Sequence, residues 1–331
     1  MSVWPRTADA PPRVRLDVRL SGAARRAALA RDVRRGLTST PRRLPPKYFY
    51  DAEGSALFNR ITHLPEYYLT RAERSILDVR GAPLMRLVRP TDVVEIGAGM
   101  AAKIRPLLRA APAVSRYVPF DVDEDTMRAA CVTLARAFPA VELHGVVGDF
   151  ESDLAHVPPP RGRRLVTFLG STIGNLEPSA RRRFLRSVRG LLNGDGRFLL
   201  GVDLMKDPRM LHAAYDDAQA VTAAFNRNVL RVVNRELFGD FDPEAFRHEA
   251  RVDVGAERVE MHLVAERAQR VRLEALDLTV EFAAGESIWT ESSYKFTRRS
   301  VERMLAAGGL RIDRWLTDRD DHFAILTAAP V

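Results

Sequence analysis

The chain has 331 residues, 46% of them apolar and 28% charged, and carries a formal net charge of +8. At about 150 residues per domain that length predicts about two domains, and the even spread of aliphatic and aromatic residues excludes collagen-like, coiled-coil and low-complexity readings. The longest apolar run, around Phe198 to Val202, stops at Asp203, far short of the ~18 residues a membrane span needs, so no membrane partner is expected.

Residues 1–14 are rich in proline and are expected to form a flexible N-terminus. Proline and charge stand where a secretory signal would be continuously apolar, which makes the cytoplasm the expected location. Ala23–Leu37 reads as an amphipathic helix, and Thr38–Pro46, with three prolines, as a loop. Between Tyr48 and Tyr68 six tyrosines and phenylalanines surround Gly54 and Pro65, with a short helix predicted near Ser55–Ile61. Thr70–Val88 is predicted helical, interrupted near Gly81–Pro83, with Thr70 as N-cap and Glu73 completing a capping box.

After Pro90 strands and helices alternate. Predicted strands at Val93–Ile96, Tyr117–Val122, Val141–Val147, Leu165–Leu169 and Arg197–Asp203 are separated by helices at 102–110, 126–138 and 178–192. Near-continuous apolar strands between helices imply a parallel sheet covered on both faces, a doubly wound α/β domain. The pattern then changes: Pro208 to about Glu236 reads as helix and Arg258–Phe282 as antiparallel strands, followed by a helix at Thr297–Ala307 and a strand pair within Leu310–Thr327. The simplest arrangement is a Rossmann-type core of 70–206 plus 294–331, interleaved with a second α+β domain of 15–69 plus 207–293.

Arginine supplies nearly all the positive charge, since Lys47, Lys103, Lys206 and Lys295 are the four lysines. The groups Arg25-Arg26, Arg34-Arg35, Arg42-Arg43 and Arg181-Arg182-Arg183 lack interleaved aromatics, so they are expected to be solvated faces. A basic nucleic-acid-binding protein is the alternative from another class, and no nucleic-acid partner is expected. Cys131 is the only cysteine and the seven histidines lack ligand spacing, so neither a disulfide nor a metal site is expected.

Glu95-Ile96-Gly97-Ala98-Gly99 closes the first core strand and opens a helix, a place where backbone can approach a nucleotide. Asp121, about 20 residues on at the next strand end, suits a ribose diol. Asp149 and Phe150, at the third strand end, suit an adenine amine and ring face. A dinucleotide remains open, because Ala102 stands where its fingerprint takes a third small residue. Glu95 suits a ligand cation and would repel pyrophosphate, which favours S-adenosylmethionine (SAM).

The segment KYFYDAEGSALFNRITHLPEYYLTRAERSIL, residues 47–77, resembles the signature of the SAM-dependent histidine Nα-methyltransferase family. The resemblance continues through VVEIGAGMAAK, FLGSTIGNLEP, DLMKDP, AAYDDAQAVTAAFNRNVL and WTESSYKF, in order from about residue 40 to the end. It implies a Rossmann-type methyltransferase core with an added substrate-binding domain, and trimethylation of the L-histidine α-amino group to hercynine on the route to ergothioneine. It also implies that Tyr50, Gly97, Gly99, Lys103, Asp121, Asp149 and Phe150 contact SAM, with Lys103 near its carboxylate. Asn175 and Tyr215 would hold the substrate's α-amino and carboxylate groups, Tyr67, Glu291 and Ser293 would read the imidazole, and Met261 and Phe58 would form apolar wall. No dedicated base is implied, and the chain is expected to be a monomer. Met100-Ala101-Ala102 departs from the small hydroxyl or acidic residues that the family carries before its lysine. A related reading is the same chemistry on another amino acid, such as a tryptophan derivative.

Overall fold

The computed structural model describes residues 14–331; the first thirteen residues of the expected flexible N-terminus lie outside it. Its first half contains β1 (Val14–Val18), α1 (Gly22–Leu37), β2 (Arg42–Arg43), α2 (Ala52–Ile61), α3 (Leu69–Val88), β3 (Asp92–Ile96), α4 (Ile104–Arg109), β4 (Arg116–Asp121), α5 (Glu124–Ala137), β5 (Glu142–Val147) and β6 (Arg164–Phe168). There follow α6 (Pro178–Leu191), β7 (Arg197–Asp203), α7 (Pro208–Tyr215), α8 (Val221–Leu237), β8 (Phe246–Asp253), β9 (Arg258–Ala265), β10 (Gln269–Leu273), β11 (Leu278–Phe282), β12 (Ser287–Tyr294), α9 (Arg298–Ala307), β13 (Leu310–Thr317) and β14 (Phe323–Pro330). These form two compact units.

The first unit takes the chain up to Leu20, Arg71–Leu204 and Phe296–Val331. It is built on an eight-stranded sheet of order β1-β5-β4-β3-β6-β7-β14-β13. The first six strands are parallel, and β14 and β13 close one edge antiparallel. From β3 the chain runs outward to β4 and β5, then returns to β6 on its other side, which opens a crevice at the strand carboxyl ends. At the amino ends Asp92 accepts hydrogen bonds from Arg116 Nε and Nη2 and from Arg164 Nε, each at 2.8 Å, and all three residues are buried. This cluster ties β3, β4 and β6 together.

Residues 15–20, expected in the second domain, belong to the first unit, where Val14–Val18 extends this sheet by pairing parallel with β5. Alternation explains it: Val14, Leu16 and Val18 pack toward Met127 and Cys131 of α5, while Asp17, on the other face, meets His144 Nε2 at 2.9 Å. The expected break in α3 is absent, because the helix runs unbroken through Pro83. Proline removes the helix bond to the carbonyl of Val79, and Val79 lies on the exposed face of the helix. Thr70 lies inside α3 rather than at its cap, and Glu73 points away from its own helix start to accept from Gly170 N at 2.6 Å.

The second unit comprises Ser21–Thr70 and Met205–Lys295. Its four-stranded sheet has the order β2-β12-β9-β8, with β10 and β11 as a separate hairpin. The antiparallel region thus reaches from 246 to 294, beyond the predicted 258–282. The single helix expected at 208–236 is two, separated by Ala220 at φ 54° and by Asp217, which caps α8 by accepting from Val221 N at 3.0 Å and Thr222 N at 2.7 Å. Helix α8 carries the core of this unit, burying Phe225, Val229, Leu230 and Val233.

Candidate active site

In the first unit the predicted cofactor residues follow three adjacent strand ends. Gly97 and Gly99, just past β3, have φ of 70° and 48°, a left-handed backbone that favours glycine. A Cβ on Gly99 would meet nothing within 4 Å, and one on Gly97 only Phe168 Cε2 at 3.9 Å, so conformation and not crowding selects glycine here. Ala101 is also left-handed, at φ 53°, and buried, while its neighbour Met100 is exposed.

Asp121 ends β4 and braces this loop: Gly99 N donates to its Oδ2 at 2.8 Å and Asp123 N to its Oδ1 at 3.2 Å. Burial pushes the Asp121 carboxyl above the usual range, with those N–H groups opposing the shift. Lys103 is half-exposed and lies 2.5 Å from the buried Glu73 Oε2. Glu73 holds the lysine with one oxygen and Gly170 N with the other. At β5, Asp149 Oδ1 accepts from Glu151 N at 2.9 Å, and the Phe150 ring packs edge-on against Phe168 at 5.4 Å and Phe184 at 5.7 Å. Asn175 ends the 3-10 turn Thr172–Asn175 beyond β6, and Ser171 Oγ, one residue before that turn, accepts from Asp203 N at the end of β7 at 2.9 Å.

Glu95 behaves differently from the cation partner expected from sequence. It is buried, accepts a hydrogen bond from Tyr117 OH, and is pushed up to about 8 by loss of solvent. Burial thus favours its neutral form, and its hydrogen bond is spent on Tyr117.

The second unit carries Tyr50, Phe58, Tyr67, Tyr215, Met261, Glu291 and Ser293. Tyr50 and Phe58 are 5.6 Å apart and edge-on, Phe58 and Tyr67 6.2 Å, and Phe225 of α8 packs against both Tyr50 and Phe58. Met261 on β9 stands opposite Glu291 on β12. A bulge between Trp289 and Glu291 inserts Thr290, whose hydroxyl turns inward to donate to Asn226 Oδ1 at 2.7 Å. Glu291 is buried and pushed up to about 7 by that burial, with the Lys295 ammonium pulling the other way. Tyr215 OH and Ser293 Oγ are 2.7 Å apart, and Lys295 Nζ donates to both, at 2.8 and 3.0 Å.

Six of the seven cofactor candidates thus lie in the first unit, Tyr50 being in the second. All the substrate candidates lie in the second unit except Asn175. Sequence reasoning missed Glu73, Phe225 and Lys295. All three sit inside the motifs that carry the family resemblance, and a lysine in so arginine-rich a chain was the available signal for Lys295. Among the described residues one set of donors could gather a metal ion, Asp318, Asp320 and His322. Asp318 there caps the turn before β14, accepting from Phe323 N at 2.7 Å.

Residues 29–330 match the family described as "Histidine-specific methyltransferase, SAM-dependent". The chain is 51% identical over 304 residues to the histidine N-alpha-methyltransferase of Mycolicibacterium smegmatis, covering 91% of this chain and 94% of that protein. It is 50% identical over 305 residues to the enzyme of the same name from Mycobacterium tuberculosis, covering 91% and 95%. Ergothioneine biosynthesis protein 1 of Neurospora crassa is 27% identical over 301 residues, 83% of this chain and 32% of that protein. With a glycine loop braced by an acid at one set of strand ends and a match that spans both units, the chain belongs to the SAM-dependent, histidine-specific methyltransferase family.

Proposed function

We propose that this protein transfers three methyl groups from SAM to the α-amino nitrogen of L-histidine, forming hercynine on the route to ergothioneine. The observation that carries the histidine reading is Glu291, a buried carboxyl on the same strand as the buried Ser293 hydroxyl. An imidazole offers one N–H and one lone pair, so an acceptor and a donor together complement it. An indole offers one N–H and no comparable lone pair, which leaves a tryptophan-type substrate less well matched.

The residues along the strand ends fit SAM. Asp121 has lone pairs left for ribose hydroxyls after its two backbone bonds, the Lys103 ammonium complements a carboxylate, and Asp149 and Phe150 offer an acceptor and a ring to adenine. When bound, SAM supplies a methyl on a sulfonium, transferred by in-line displacement to a nitrogen lone pair. The chain's own contribution is placement: Glu291, Ser293 and Tyr67 orient the imidazole, Asn175 and Tyr215 the α-amino and carboxylate groups, and Met261 and Phe58 fill space beside them. Orientation of this kind is worth up to ~7–11 kcal/mol. Tyr50 and Phe58 supply aromatic faces for the cation that grows with each transfer, at ~0.5–2 kcal/mol.

The basic composition has a simpler account than a nucleic-acid partner. Arg26 pairs with Glu236, Arg35 with Asp32 and Arg42 with Glu286, so members of three arginine groups are spent on acids of the same unit. Incubation with SAM and each common amino acid, read by product mass, tests the proposal. Histidine alone should gain three methyl groups; no mass change with histidine would refute it.

A further inference from the structure

We infer that Glu73 is a positioning residue for SAM, a buried carboxylate that fixes the Lys103 ammonium and the backbone beyond β6 in one arrangement. This role rests on the reading of Lys103 as partner of the SAM carboxylate and adds the residue that stands behind it.

Every group around Glu73 belongs to the first unit. Ala72 and Ile76, on the same face of α3, pack into the apolar core, so the carboxylate is carried inward with them and is 1% exposed. Gly201 within β7 makes room for it: a Cβ there would stand 2.5 Å from Glu73 Oε1 and 3.1 Å from Phe323 Cε1. Oε1 accepts from Gly170 N at 2.6 Å. Gly170 is left-handed at φ 76°, and a Cβ on it would lie 3.1 Å from Lys103 Nζ. Oε2 meets Lys103 Nζ at 2.5 Å. One carboxylate thus joins α3, the turn after β6 and the residue before α4.

Such a pair is a poor way to gain stability. Burying a carboxylate costs solvation, and an ion pair inside a protein gives little net stability compared with apolar side chains of the same volume. Gly170 N needs only one acceptor, which a neutral side chain could supply. Lys103, with its side chain 39% exposed, could be served by water. What the pair adds is direction. An ammonium has three N–H donors, and Glu73 takes one from the buried side, which turns the others toward the open side at the carboxyl ends of the strands. Glu73 and a bound carboxylate would then share the ammonium, one from behind and one from in front. Repulsion between the two acids opposes binding, and prior ordering of a long, flexible stem favours it. Ordering is the larger effect here, because Glu73 is itself anchored by Gly170 N and an unheld, half-exposed lysine samples many rotamers that miss the crevice.

The test measures binding by calorimetry to the full-length wild type, Glu73→Gln, Lys103→Met and the double variant. The two ligands are SAM and decarboxylated SAM, which keeps the adenosine, sulfonium and amine and lacks the carboxylate. Glutamine offers one acceptor oxygen and so cannot hold both Gly170 N and Lys103 Nζ. Glu73→Gln should weaken SAM on the order of 10- to 100-fold, the worth of a charged hydrogen bond, and leave decarboxylated SAM unchanged. In the Lys103→Met background the same substitution should weaken SAM no further, because no ammonium is left to direct. Unchanged or tighter SAM binding by Glu73→Gln, equal weakening of both ligands, or full additivity in the double variant would overturn the role of Glu73. If Glu73→Gln gives no cooperative melting transition, Glu73→Asp, which keeps the charge and loses reach, replaces it with the same pattern required. A Lys103→Met variant that binds SAM as tightly as wild type would instead overturn the placing of Lys103 at the carboxylate, and the role of Glu73 with it. A wild type that binds neither ligand would overturn the cofactor reading itself.

Discussion

Two buried glutamates show how environment, not residue type, decides chemistry. Glu291 and Glu95 are both displaced upward by loss of water, to about 7 and about 8. Glu291 stands on a strand with a hydroxyl and an ammonium nearby, so its carboxyl is suited to a ligand. Glu291→Gln keeps the volume and removes the charge. It should lower histidine kcat/KM by about 1.5–3 kcal/mol, on the order of 10- to 100-fold, while SAM affinity by calorimetry stays the same. Glu95 is occupied by Tyr117 and serves the fold. Because its folded value lies above the ordinary 4.5, it imposes no cost below that pH and a growing cost as pH rises toward 8. Glu95→Gln should therefore gain melting temperature relative to wild type between pH 4.5 and 8, with the gain largest at the alkaline end. A constant offset across that range would show that Glu95 ionises freely.

The elements that carry the aromatic segment depend on a few tight local devices. Asp51 caps α2 by accepting from Gly54 N at 2.8 Å, and it also accepts from Asn228 Nδ2 at 2.8 Å and Arg235 Nη1 at 2.9 Å. That places the start of α2 directly on α8. Gly54 is fixed by space: a Cβ there would fall 1.7 Å from the Phe49 carbonyl oxygen, a backbone atom that cannot swing aside. Gly54→Ala should cost at least 3 kcal/mol by chemical denaturation, or prevent soluble folding, whereas Asp51→Ala should cost about 1–3 kcal/mol through a lost cap and two unpaired donors. The sequence predicted a helix near Ser55–Ile61 with Gly54 just before it, whereas the helix begins at Ala52 and contains Gly54. Nor did the sequence show that the glycine faces a carbonyl from the preceding turn, because that depends on how Phe49 is buried beneath Phe225.

At the scale of the molecule, opposite ends of the parallel sheet do different work. The amino ends of β3, β4 and β6 are locked by Asp92 with Arg116 and Arg164, while the carboxyl ends bear Gly97, Gly99 and Asp121. The two guanidinium groups hold the Asp92 carboxyl below its ordinary 3.8 against the opposing effect of burial. Its stabilisation is therefore present above pH 3.8 and lost as acid carries the pH down through the lower folded value. Asp92→Ala, which leaves two buried arginines without their acid, should cost about 3–5 kcal/mol at pH 7 by urea denaturation, with less difference from wild type in strong acid. An equal loss at both pH values would show that packing rather than charge is responsible.

Periodicity and motif order alone determined the alternating α/β core, its five central parallel strands, the helices that follow them and the family. Apolar strands between amphipathic helices have few other ways to bury themselves, and a continuous run of motifs survives whatever the surrounding loops do. Edge strand β1, the unbroken passage of α3 through Pro83 and the division of α7 from α8 needed the tertiary structure. β1 is decided by a partner distant in sequence, β5, while the passage of α3 through Pro83 and the break at Ala220 and Asp217 between α7 and α8 are backbone outcomes that no hydrophobic period marks. Glu95 and Lys295 needed the tertiary structure as well. A sequence records a carboxyl or an ammonium, but only the folded chain decides how much water and which hydrogen-bond partners it keeps, and those set its charge and direction.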